Sequence, residues 1–103
     1  MSMNEVKYTV VSTSYCQGHV SAGAFGLYGN KTEAAKRLKH EVLIDLSQQF
    51  ELEDEDMDDL INDHSRVEYH SINDDPGQWD WCQYADDDGL IIVWSVCGMK
   101  TED

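Results

Sequence analysis

A chain of 103 residues with 21 Asp and Glu against 7 Lys and Arg, a formal net charge of −14, opposes approach to DNA, RNA or anionic lipid, all of which attract basic patches. It has room for one domain, and a 41% hydrophobic content with three Trp and five Tyr separates it from acidic disordered chains, which are poor in aromatics. No stretch approaches the roughly 18 apolar residues of a membrane span, residues 1–5 lack the marks of a signal peptide, and Cys16, Cys82 and Cys97 read as reduced thiols, so a cytoplasmic protein is expected.

Residues 5–15 alternate, with Val6, Tyr8 and Val10 on one face and Lys7, Thr9, Val11 and Thr13 on the other, which predicts a strand. Cys16-Gln17-Gly18 is turn-like. A second strand is expected over 19–28, with Val20, Ala22 and Ala24 on one side, Phe25 and Leu27 on the other, and Gly23 and Gly26 marking a bulge or a close backbone approach. Asn30 is a helix cap with Glu33 three residues on, and Thr32 competes for the role. The helix then runs to about Phe50 on an apolar stripe of Ala35, Leu38, Val42, Leu46 and Phe50, with Lys36, Arg37, Lys39 and His40 as a basic outer strip.

The spacing of Met57, Leu60 and Ile61 predicts a short second helix over 54–64. A strand over 66–72, a turn at Asn73-Asp74-Asp75-Pro76-Gly77 and strands over 78–85 and 90–97 complete the chain, with Met99 to Asp103 expected to fray. If Asp88-Gly89 is a two-residue hairpin turn, Trp81 faces Val96, Gln83 faces Trp94 and Ala85 faces Ile92. Trp79, Trp81, Trp94, Ile92 and Val96 then share the face under the helix, and Tyr84, Val93 and Ile91 form an apolar strip on the other. That register puts Cys82 and Cys97 on one face as diagonal neighbours about 7–8 Å apart, long for a disulfide. The order β-β-α-α-β-β-β predicts an α+β domain over residues 1–103, an antiparallel sheet of four or five strands with one long and one short helix.

The charge is bunched. Glu51, Glu53, Asp54, Glu55, Asp56, Asp58, Asp59 and Asp63 lie within 13 residues that contain no base. Carboxylates so close repel one another unless a cation or a basic partner meets them. Held on a folded scaffold, they would imitate the phosphates of a nucleic acid and occupy a groove built for it, with steered, salt-sensitive association. The plain alternative is a solvated acidic face.

Asp54, Asp56 and Asp58 alternate as calcium ligands do, but a loop counted from Asp54 has Asp59 where an EF-hand needs Gly and Ser65 where it needs Glu. Cys16-Gln17-Gly18-His19 is half a zinc motif with no second close pair. Cys16 as a nucleophile, with His19, His64 or His70 as base, lacks an orienting group and an anion-holding loop. Lys31-Thr32 follow Gly29, but Ala24 stands where a phosphate-binding loop needs its first glycine.

The expectation is a small non-enzymatic interaction protein with no cofactor, metal or catalytic residue, whose acidic run meets a basic surface, such as that of a nucleic-acid-binding protein, and which contacts neither nucleic acid nor membrane directly. In charge and size alone it resembles the inhibitors that bacteriophages and mobile elements aim at host nucleic-acid enzymes. The competing expectation is a metal-binding protein or small enzyme built on Cys16 and His19, and a third is a structural subunit or homodimer that uses the aromatic sheet face.

Overall fold

A computed structural model describes residues 5–101 of the protein. The chain runs β1 (Glu5–Cys16), β2 (His19–Tyr28), α1 (Lys31–Phe50), α2 (Asp54–Ile61), β3 (Val67–Ile72), β4 (Asp75–Ala85), β5 (Leu90–Thr101). The five strands form one antiparallel sheet in the order β2-β1-β5-β4-β3. The α+β architecture and the element order are those the alternation and spacing predict.

The topology dictates where the helices go. β2 and β3 are opposite edges of the sheet, so the chain between them must cross four strand spacings, about 19 Å. A helix of 20 residues, about 30 Å long, spans that distance. Asn30 caps α1 as expected, accepting from the Glu33 backbone N–H at 2.9 Å. Ala34, Ala35, Leu38, Val42 and Leu46 are its buried stripe. Leu38, Val42 and Leu46 of that stripe share one core with Val10, Cys82, Tyr84, Ile92 and Trp94, which face the helix from β1, β4 and β5. Glu41, on the flank of that stripe and only 6% exposed, is paired with Arg37 one turn back.

Two hairpins turn on left-handed residue pairs, Gln17-Gly18 and Asn73-Asp74, as two-residue turns of the primed kind require. Asn73-Asp74 alone makes the second turn. Pro76 therefore lies inside β4 rather than in the turn, in a stretch where the register between β3 and β4 shifts and a missing N–H costs no ladder bond.

The β4–β5 register differs from the expected one by a residue. Cys82 opposes Trp94 and Tyr84 opposes Ile92. The cause is Asp86. Its carboxylate accepts from the N–H groups of Asp88 (2.9 Å) and Leu90 (3.2 Å) and from the Tyr84 hydroxyl (2.7 Å), which makes the connection one residue longer, with Gly89 at φ 89°. A one-residue slip exchanges the faces of a strand. Tyr84, expected in the open, is 1% exposed beneath α1, whereas Trp81 turns to the other face. Trp79 stays on the helix side because the bulge opposite His70 and Ser71 restores its orientation, and it stacks on Tyr69 at 4.2 Å. Cys82 and Cys97 consequently lie on opposite faces, not on one.

The other corrections lie at element ends. α2 stops at Ile61 rather than His64, β3 begins at Val67, and β5 continues as strand to Thr101 through part of the segment expected to fray. Glu102 and Asp103, in the remainder of that segment, lie outside the described residues. No helix of the described residues is long and apolar enough to cross a membrane.

Candidate partner-docking surface

The acidic run begins where α1 ends. Glu51 terminates that helix in a left-handed conformation (φ 52°), with its N–H bonded to the Ser47 carbonyl. Leu52 tucks against the core, and Glu53 opens α2 in extended conformation. Along α2, Met57, Leu60 and Ile61 recur at helical spacing and fasten one face to the core, Met57 fully so. At 100° per residue, Asp54, Glu55, Asp56, Asp58 and Asp59 fall on the remaining arc. All five are exposed, as are Glu51 and Glu53. The helix packs against α1 and β3, so the acids stand at the β3 edge of the molecule.

Polarity within α2 sorts these carboxylates. Asp54, Glu55 and Asp56 occupy the first turn, where the positive end of the helix dipole favours them. Asp58 and Asp59 approach the negative end and gain nothing there.

Asp63 differs from the rest in having local partners. Its carboxylate accepts from the Ser65 N–H (3.1 Å) and hydroxyl (2.5 Å), and Arg66 lies 3.7 Å away. The Ser65 hydrogen bonds hold this carboxyl below the usual carboxylate range. It shapes the turn from α2 into β3, which its carbonyl also supports by accepting from Val67 at 2.9 Å.

Three of the basic residues of α1 are engaged away from the acidic run. Lys31 reaches Asp80 (3.4 Å), Arg37 holds Glu41, and Lys39 donates to the Pro76 carbonyl (3.0 Å) while lying 5.2 Å from the Trp79 ring centroid. Asp80 also bonds His70 Nδ1 at 2.6 Å. Partial burial would raise the Asp80 carboxyl, but the hydrogen bonds and charges of His70 and Lys31 outweigh it and hold the group low. This Lys31–Asp80–His70 cluster was not legible in the sequence, because it joins α1, β3 and β4 through a register that periodicity alone does not set.

Cys16 and His19 are directly paired across the β1–β2 turn, and both are exposed. Among the described residues, no group of three His, Cys, Asp or Glu side chains is arranged to hold a metal ion. His70 is on β3, at the far edge of the sheet from this turn. The buried Cys82 thiol is pushed up to about 12 by desolvation, which suits a packing role.

No protein family, no curated protein and no solved structure matches the chain.

Proposed function

We propose that the protein is a small, non-enzymatic interaction protein that docks the acidic surface from Glu51 to Asp59 on a basic site of a partner, in the manner of a nucleic-acid mimic. The observation that supports this is the division of α2 into a fastened apolar face and an arc of five exposed carboxylates. Five charges along a helix about 12 Å long is one per about 2.4 Å, close to the one per about 1.7 Å of duplex DNA. A cationic groove built for phosphates would meet a comparable charge density. The inhibitors that phages and mobile elements direct at host nucleic-acid enzymes have this size and sign of charge, and that is the particular role proposed.

The test is capture from a host extract at low salt, elution in a salt gradient, and the same experiment with Asp54→Lys, Asp56→Lys and Asp58→Lys combined. A partner that elutes early in the gradient and is not retained by the triple variant is expected. A partner held equally by both, or held through high salt, would assign binding to another surface.

A further inference from the structure

We propose that the uncovered face of the sheet is where two copies of this chain pair, sheet against sheet. The helices cover one face only. On the other, cross-strand pairing sets three consecutive rows across β2, β1, β5 and β4. The first row is Val20, Tyr15, Ile91 and Ala85; the second is Ala22, Thr13, Val93 and Gln83; the third is Ala24, Val11, Ser95 and Trp81. None of these residues carries a charge, in a chain of which 27% is charged. Tyr15, Val20 and Ile91 are 45%, 66% and 39% exposed and sit side by side in the first row. Contiguous apolar surface of this kind on a soluble domain marks an interface.

The size of the block fits a second copy. Four strands about 4.8 Å apart and three rows about 6.7 Å apart cover about 400 Å² of plane. Accessible area exceeds plane where side chains stand off the sheet, so two copies bury on the order of 1,000 Å², the threshold for a specific interface. Two such sheets stack about 10 Å apart with their strands nearly aligned.

Charge decides between a second copy and a basic partner. A cationic partner is drawn to the carboxylates, and this face has none within the block. Two copies, each with net charge −14, repel if they meet through α2. Meeting through the uncharged block, with Glu68 of β3 at its margin beside Gln83, turns both helical layers outward and sets two sheets between the acidic surfaces. The sheet spacing of about 10 Å alone exceeds the screening length of about 8 Å at physiological salt.

Light scattering on the full chain, over a concentration series at low and high salt, reads the outcome. The expected mass is twice 11.8 kDa, with the dimer favoured by salt because residual repulsion is screened. Partner capture through α2 has the opposite salt dependence, so the two readings fail separately. Thr13→Lys and Ala22→Lys, both at exposed positions outside the core, should each return the mass to 11.8 kDa with an unchanged circular dichroism spectrum. A mass of 11.8 kDa for the unaltered chain throughout, a dimer that persists in both folded variants, or a dimer dissolved by salt would each overturn the proposal.

Discussion

Trp94 donates its indole N–H to the Asp45 carboxylate at 2.8 Å, tying the second half of α1 to the middle of β5. Trp94 is fully buried, so its N–H has no other outlet. Burial pushes the Asp45 carboxyl up; the Trp94 bond opposes this and the nearby Glu41 adds to it. Asp45→Asn keeps an acceptor for the indole and removes the charge, and should leave the melting temperature at pH 7 unchanged or raised. Asp45→Ala orphans the indole N–H and should cost about 1–3 kcal/mol. The pH dependence follows the sign of the shift. A carboxyl raised in the folded state takes its proton more readily there, so this residue adds stability as pH falls toward its raised pKa, and Asp45→Asn should remove that contribution. Equal destabilisation by Asn and Ala would contradict this account.

Asp86 should behave in the opposite way. Burial works against its charged form, but the Tyr84 hydroxyl, the Leu90 and Asp88 N–H groups and Arg66 together hold its carboxyl below the usual value. Its contribution is present above the ordinary carboxylate pKa and is lost as pH falls through the folded value. Asp86→Ala should cost about 1–3 kcal/mol near neutrality and flatten the acid limb of a denaturant midpoint-against-pH curve. Gly89→Ala, in the same turn at φ 89°, should cost about 1–2 kcal/mol through backbone strain alone, with no change in that curve's shape.

This same aspartate marks the limit of what the sequence reveals. Alternation, the Asn30 cap and the stripe from Ala35 to Leu46 are local signals, and each places its element correctly. Whether Asp88-Gly89 or a longer segment closes the hairpin depends on which N–H groups the Asp86 side chain captures, and composition does not decide that. From that one residue follow the burial of Tyr84, the outward turn of Trp81 and the separation of Cys82 from Cys97 onto opposite faces. The site divides in the same way. Met57, Leu60 and Ile61 at helical spacing show which way α2 faces, and hence which acids are free. Asp63 reads as one more member of the run, and its local partner, Ser65, acts through a turn rather than a periodic pattern.

Position along α2 separates stability from binding. Asp59, in the last turn, meets the negative end of the helix dipole, and Asp54, in the first, meets the positive end. Asp59→Lys should raise stability and Asp54→Lys lower it, each by about 0.3–1 kcal/mol at low salt. Both should weaken partner capture. Chemical denaturation and salt-gradient retention on the same two variants check this, and retention that rises along with stability in Asp59→Lys would count against a docking role for these carboxylates.

Met57 fixes the acidic arc without carrying charge. Met57→Ala should cost about 2–5 kcal/mol by leaving a cavity under α2. If the carboxylates must be held in place, partner retention should fall although the net charge stays the same. Retention equal to that of the unaltered chain, in a variant shown to be folded, would mean that charge alone suffices.

The proposed docking requires the Glu51–Asp59 carboxylates to form an ordered surface that a partner grips. Amide hydrogen exchange through α2, in the free chain and in the complex recovered from the host extract, is the decisive measurement. The helix bonds from Met57 N–H to the Glu53 carbonyl (2.9 Å) and from Asn62 N–H to the Asp58 carbonyl (3.1 Å) predict slowed exchange at both amides in the free chain, and further slowing across the helix in the complex. Exchange at unfolded-chain rates in the free protein, or protection on binding confined to other elements, would contradict it.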